Sequence, residues 1–139
     1  MRAGRARGQI ALASTDYAGV KKLLAALKQG QAIGVLPDQV PSQGEGVWAD
    51  FFGRPAYTMT LIARLQQKTG ATIIFFYAER LSWGRGFVIR YLPPIAPLSE
   101  NPEQAARQIN AAVEAIVRAC PAQYLWSYNR YKAVRGERA

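Results

Sequence analysis

The sequence contains no histidine, and Cys120 is its single cysteine among 139 residues. The commonest general base of enzymes is therefore absent from these residues, and no disulfide can form within one chain. One cysteine and scattered carboxylates give no metal-ligand spacing, and no phosphate-loop or dinucleotide motif follows a strand, so we predict no metal and no cofactor. Without a histidine to activate its thiol, Cys120 is interpreted as a small buried residue rather than a nucleophile.

Long apolar runs are also lacking. No stretch reaches the roughly 18 apolar residues that a membrane-spanning helix needs. The basic residues 1–8 have no long apolar region behind them and do not resemble a signal peptide. The sequence therefore predicts a cytosolic or peripheral membrane location.

Acidic residues are few: nine, against 18 lysines and arginines, which gives a formal net charge of +9. Such a balance favours anionic partners, and nucleic acid, anionic lipid and phosphorylated glycolipid all qualify. Arg2, Arg7 and the tail residue Arg130 could contact phosphate or could simply be solvated. The aromatic segment 123–131 has three interpretations: packing onto the core, a membrane-interface belt, or a stacking platform for nucleic-acid bases.

Apolar residues at helical spacing predict three helices. The first begins at Asp16 or Thr15 and ends at Gly30, and the second has Thr58 as a possible cap and Gly70 beyond its end. Asn101 caps the third, with Pro102 in its first position and Gln104 placed as in a capping box. The apolar face of the third helix is formed by Ile109, Val113, Ile116 and Cys120.

Residues 32–36 predict a buried strand, and residues 72–77 and 87–91 predict two strands joined as a hairpin. Helices and strands in this order indicate an α/β fold. Because no strand precedes the first helix, we expect that the N-terminal half of the sheet is missing. Asp38 follows the first strand, where α/β proteins place ligand-contacting groups, although a loop aspartate that caps backbone amides fits its position equally well.

Two ordered strings carry a family resemblance. They are residues 33–39 (IGVLPDQ) with 44–58 (GEGVWADFFGRPAYT), and residues 120–126 (CPAQYLW) with 130–132 (RYK) just after them. The sequence resembles the lipid A biosynthesis acyltransferases of the glycerolipid acyltransferase superfamily, and the likeness runs from about Gly4 to Lys132.

The resemblance implies a partial glycerolipid acyltransferase-like domain, with a mixed sheet flanked by helices. Residues 1–139 would be the C-terminal part of this single domain. The implied reaction transfers a fatty acyl chain from acyl carrier protein to a hydroxyl of a lipid A precursor, without a cofactor. The implied partners are acyl carrier protein, the precursor glycolipid and the membrane surface, and not nucleic acid. The implied location is the cytoplasmic face of the inner membrane.

The resemblance also implies site residues. Arg5 matches a Gly-Arg element and is expected to contact phosphate or the transition state. Asp38 matches the acid of a strand-Pro-acid element and is expected to orient the substrate or an active-site arginine. Pro55 and Thr58 match a Pro-Ala-x-Thr element that is expected to shape the acyl groove and cap the next helix.

The family's base is the histidine of a His-x-x-x-x-Asp/Glu motif, which these residues lack. We expect that motif N-terminal to Met1, so no catalytic residue is assigned here and the chain alone is expected to be inactive. Loss of a positioned base lowers rates by roughly 10²–10⁴-fold. The alternative is a basic module that binds anionic lipid or nucleic acid without catalysis.

Overall fold

The structure is a computed structural model that describes residues 10–14, 16–93, 95–132, 134 and 136. The chain divides into two compact units, and the boundary in the sequence falls between Gly34 and Val35. The first unit contains helix α1, Tyr17–Lys28. The carboxylate of Asp16 caps this helix by accepting a hydrogen bond from the backbone N–H of Gly19, at 2.8 Å. Gly30 follows its end with a positive φ of 74°, so the predicted first helix and its limits are confirmed.

The second unit opens with a hairpin that the sequence pattern did not predict. Strand β1 (Gly46–Phe51) pairs antiparallel with strand β2 (Arg54–Met59). Phe52 and Gly53 form the turn with φ values of 51° and 73°. Two consecutive positive φ angles define the type I′ turn that fits the twist of a hairpin, although its first position usually holds asparagine, aspartate or glycine.

Two helices complete the packing of this unit. Helix α2 (Leu61–Thr69) ends at Gly70, which adopts φ 67°, and helix α3 spans Pro102–Ala119. Asn101 caps α3 by accepting from the backbone N–H of Gln104, as predicted. The cap position of α2 is held by Thr60, not by the predicted Thr58, because Thr58 lies inside β2 and its hydroxyl is engaged there.

The predicted hairpin near residue 80 is confirmed. Strand β3 (Phe76–Arg80) pairs antiparallel with strand β4 (Phe87–Tyr91), and a short 3-10 turn at Ser82–Gly84 joins them. Strand β3 begins at Phe76, whereas the sequence pattern predicted a strand from residue 72. Residues 72–75 run up to it with only one further backbone bond, from the N–H of Leu92 to the carbonyl of Phe75.

The described residues therefore form a mixed α/β structure with two separate antiparallel sheets of two strands each, rather than one mixed sheet. The predicted strand at residues 32–36 is absent from both, and Leu36 is 60% exposed. An apolar run forms a strand only when a neighbour receives its backbone hydrogen bonds, and no described segment supplies one here.

The core of the second unit lies where α3 packs against β1. Its members are apolar side chains from the first hairpin, both helices and two loop positions: Phe51, Ala56, Ala63, Phe75, Leu98, Ala105, Ile109, Val113 and Val117. Four of these belong to α3, among them Ile109 and Val113 of its predicted apolar face, so that helix organises the unit.

Candidate functional site

Arg130 is the most unusual side chain in the second unit. It lies in the irregular segment 124–132 after α3, yet only 3% of its surface is exposed. Its guanidinium donates to the backbone carbonyl of Tyr57 at 2.8 Å and to the hydroxyl of Thr58 at 2.7 Å. The sequence allows Arg130 to be a phosphate contact or a solvated tail residue, and its burial shows that the solvated interpretation is wrong.

Asn110 on α3 completes the network around this arginine. Its side-chain carbonyl accepts from Arg130 at 3.2 Å, and its amide donates to the carbonyl of Asp50 at 2.9 Å and to the hydroxyl of Thr58 at 3.1 Å. The Thr58 hydroxyl in turn donates to the carbonyl of Ala56. One buried polar network therefore joins helix α3 to both strands of the first hairpin and to the C-terminal segment.

The positive charge of this network has no close counter-ion. Among the described residues, no carboxylate oxygen lies within 4.0 Å of the Arg130 guanidinium. Burial lowers the pKa of Arg130, while Tyr124 and Asp38 act in the opposite direction. A buried cation without a direct ion pair is costly to desolvate, which makes this a candidate for function rather than for stability alone.

Asp38 lies half-buried in the turn at residues 37–39, within electrostatic reach of Arg130 and Tyr124. Burial, followed by the negative charge of Asp38, raises the pKa of Tyr124 to about 12. The same turn is tied to the C-terminal segment by Tyr128, whose hydroxyl accepts from the backbone N–H of Val40 at 2.8 Å. Of the residues singled out in the sequence, Asp38 and Thr58 thus share one region.

Of the other two predicted site residues, only Pro55 is described, and it does not join this network. Pro55 is exposed near the start of β2, opposite Asp50. Arg5 lies outside the described residues, so its expected contact with phosphate or the transition state stays a prediction. Thr58 is fully buried beneath Arg130, where it contributes to the network rather than to an exposed groove wall.

A cavity of about 470 Å³ lies between the turn of the first hairpin and the C-terminal segment. We call it the aromatic cavity. Most of its lining is aromatic, with two arginines and two small polar side chains: Phe51, Phe52, Arg54, Tyr124, Trp126, Ser127, Tyr128, Asn129, Arg130 and Tyr131. None of these is acidic. Its volume and largely apolar wall are typical of small-molecule sites.

The sequence pattern did not mark Asn110 as a site residue, and it left Arg130 open between a phosphate contact and a solvated tail residue. Asn110 directly follows Ile109 on a helix whose apolar stripe was recognised, and a polar residue on a buried face must find hydrogen-bond partners. That position was an available signal. No comparable signal marks the burial of Arg130, because that burial depends on long-range contacts with Tyr57 and Thr58.

Comparison with known proteins supports the motif resemblance. The family model described as bacterial lipid A biosynthesis acyltransferase matches residues 1–133. A lipid A biosynthesis lauroyltransferase of Escherichia coli (strain K12) is 29% identical over 84% of this chain and 39% of its own length. A lipid A biosynthesis acyltransferase of Haemophilus influenzae is 30% identical over 78% of this chain and 34% of its own length. A palmitoleoyltransferase of Escherichia coli (strain K12) is 26% identical over 93% and 42%, respectively.

Proposed function

The chain belongs to the bacterial lipid A biosynthesis acyltransferase family, and from this premise we propose that it forms part of an enzyme that acylates a lipid A precursor. The donor is acyl carrier protein carrying a fatty acyl thioester, and the acceptor is a hydroxyl of the precursor. The hydroxyl oxygen attacks the thioester carbon, the carbon–sulfur bond breaks, and a base carries the hydroxyl proton to the departing thiolate.

Two roles are proposed for Asp38: its carboxylate orients the acceptor hydroxyl, or it orients the Arg130 guanidinium. In either case the positive charge of Arg130 is proposed to hold the Asp38 carboxylate in place. The observation that supports this assignment is the buried Arg130 guanidinium, which has no carboxylate within ion-pair distance but lies in the field of Asp38. Thr58 and Asn110 hold the guanidinium in place. A charge fixed in this way keeps its direction during a reaction, which is how preorganised sites stabilise developing charge.

The chain spans only 34–42% of the length of these relatives. We propose that residues 1–139 act as the C-terminal part of one acyltransferase domain, with the base provided by a histidine that this sequence does not contain. Two apolar segments support the proposal. Residues 32–36 and 72–75 are composed like strands yet take part in neither sheet, and Leu36 and Ile74 are exposed.

No helix in the described part of the chain is long and apolar enough to cross a bilayer. We propose attachment to the cytoplasmic face of the inner membrane, where a lipid acceptor and acyl carrier protein would meet. The excess of 18 basic over nine acidic residues supports attraction to an anionic surface.

A chimera tests the proposal. This chain replaces the matching C-terminal region of the Escherichia coli lauroyltransferase, and transfer from acyl carrier protein to a lipid A precursor is measured in isolated membranes. The chimera is expected to be active and the chain alone inactive. Asp38→Asn is expected to lower kcat about 100-fold, as misorientation of reacting groups does.

Asp50→Asn is the matched control, because Asp50 is exposed on β1 and its side chain makes no hydrogen bond to another described residue. It is expected to retain full activity. A folded chimera without activity, or equal losses in both variants, would contradict the proposed role of Asp38. Transfer by the chain alone would contradict the need for a histidine from outside it.

The rival function is binding to polyanions without catalysis, which the net charge of +9 favours. It predicts salt-sensitive binding of the chain to nucleic acid and to anionic vesicles alike. Binding to both with similar affinity, together with an inactive chimera, would favour this rival over the acyltransferase proposal.

A further inference from the structure

Arg54 stands at the edge of the aromatic cavity with its guanidinium pre-arranged. Its Cζ lies 4.3 Å from the ring centroid of Tyr131, so the guanidinium is held over the ring by a cation–π contact. Arg54 is exposed and makes no ion pair or side-chain hydrogen bond with another described residue. Its five N–H donors therefore remain available to a ligand, and stacking reduces the rotamer freedom that binding would remove.

The strand register explains why Arg54 occupies this edge. Arg54 is the first residue of β2 and pairs with Phe51, directly after the Phe52–Gly53 turn. The turn itself is fixed to α3, because the buried carboxylate of Glu114 accepts from the backbone N–H of Phe52 at 3.0 Å. Arg54 therefore projects from a rigid support, as a preorganised binding residue should.

The electrostatics of the cavity favour an anion. Arg54 and Arg130 both line it, and its wall contains no acidic side chain. Arg130 is committed to Tyr57, Thr58 and Asn110, so its charge acts on the cavity through space while Arg54 is free to make contact. Positive charge in a cleft with apolar walls concentrates anions there.

We propose that the aromatic cavity is a binding subsite for a phosphate monoester, with Arg54 as the guanidinium that contacts the phosphate. A phosphate monoester carries close to two negative charges near neutral pH, so it is attracted to the positive side of this cavity more strongly than a carboxylate, which carries one. Its oxygens accept the paired N–H donors of a guanidinium. The aromatic wall accommodates the flat or apolar body to which the phosphate is attached. Binding does not depend on acyl transfer.

Calorimetric titration of the 139-residue chain with phenyl phosphate tests the proposal. Phenyl phosphate combines the anion with a flat apolar body, and benzoate and inorganic phosphate each lack one of these features. Phenyl phosphate is expected to bind more tightly than either. Arg54→Gln is expected to weaken its binding about 10-fold or more, the usual consequence of losing hydrogen bonds to a charged group.

Arg85→Gln is the matched control. It removes the same charge from an exposed site whose guanidinium bonds only to Ser82 within its own turn. This variant is expected to bind phenyl phosphate like the parent chain. Arg54→Lys keeps the charge but loses the planar fork, and it is expected to fall between the parent and Arg54→Gln. Circular dichroism establishes that each variant is folded.

Equal weakening by Arg54→Gln and Arg85→Gln would overturn the proposal, because net charge alone would then explain binding. Benzoate binding as tight as that of phenyl phosphate would overturn the choice of phosphate. Vesicles of phosphatidylcholine with and without phosphatidic acid distinguish the source of the ester. Arg54-dependent binding to the acidic vesicles identifies a lipid phosphate, whereas Arg54-dependent binding of phenyl phosphate alone identifies a soluble one.

Discussion

The hairpins β1–β2 and β3–β4 share a plan but differ in what covers them. Each is a two-stranded antiparallel sheet whose turn holds an aromatic residue at positive φ, Phe52 in the first and Trp83 in the second. Ala56, Tyr57 and Thr58 of the first hairpin are buried. In the second, one face remains exposed and carries Phe76, Phe87, Ile89 and Tyr91.

Helix α3 accounts for the difference. It packs on β1, and its Asn110 and Glu114 bond to backbone groups at the end and turn of the first hairpin. No described element packs closely along the exposed face of the second. Similar strands thus become a rigid support or an open surface according to their neighbours, which is why strand propensity alone is a weak guide. The buried arginine and the aromatic cavity both adjoin the supported hairpin.

The largest difference in stability between the two hairpins is expected from substitution of one isoleucine in each environment. Ile109, fully buried under the first hairpin, and Ile89, 46% exposed on the second, are each replaced by alanine. Ile109→Ala is expected to lower the free energy of unfolding by about 2–5 kcal/mol, since it leaves a cavity in the core. Ile89→Ala is expected to cost under about 1 kcal/mol. Urea unfolding measures both, and equal losses would mean that the second hairpin is covered in solution.

The polar network provides the next largest contrast. Thr58→Val keeps the side-chain shape but removes an acceptor from Arg130 and Asn110, and it is expected to destabilise the fold by about 1–3 kcal/mol. Thr60→Val removes only a bond from an exposed hydroxyl to the carbonyl of Glu45 and should cost less than about 1 kcal/mol. Chemical denaturation of both variants checks the order. An unchanged free energy of unfolding in Thr58→Val would show that the network adds little to stability.

Single phenol oxygens give a smaller effect. Tyr128→Phe removes the acceptor for the N–H of Val40 and is expected to cost about 0.5–1.5 kcal/mol. Faster hydrogen exchange at the Val40 amide should accompany this loss. Tyr91→Phe, on the exposed face of β4, is the control and should change neither quantity. Unchanged protection of Val40 in Tyr128→Phe would refute the contact.

The two strained turns should give the smallest effects, with opposite signs. Glycine relieves a left-handed backbone conformation that costs other residues about 1–2 kcal/mol. Trp83 is 95% exposed, so Trp83→Gly is expected to stabilise the fold by about 0.5 kcal/mol once the added flexibility of glycine is subtracted. Phe52→Gly should destabilise by about 1 kcal/mol, because its ring packs on Phe51 and under Arg118. Thermal unfolding compares the two, and a shared sign would contradict this account.

Local signals in the sequence predicted the elements that depend on local physics. The caps Asp16 and Asn101 and the terminating Gly70 define helix ends through bonds within a few residues, and all three lie where expected. The second hairpin was recognisable from its strand composition and from the turn between its strands. The first hairpin was missed, because Phe52 is an uncommon residue for the first position of its turn.

Long-range physics limited the rest. The segment at residues 32–36 looked like a buried strand, but composition cannot supply the neighbour that would complete its hydrogen bonds. The candidate site was recovered only in part. Motif resemblance selected Asp38 and Thr58, whereas the burial of Arg130 became evident only in the fold, which packs its guanidinium against Tyr57 and Thr58.

Two tyrosine hydroxyls accept hydrogen bonds from backbone N–H groups of the loop that carries Asp38. The hydroxyl of Tyr57 accepts from the amides of Gly44 and Gly46, and that of Tyr128 accepts from Val40. Loss of either hydroxyl oxygen, as in a change from tyrosine to phenylalanine, would therefore alter the backbone path of this loop. Substitution of these two tyrosines during evolution would change the orientation of the Asp38 carboxylate without a change to Asp38 itself.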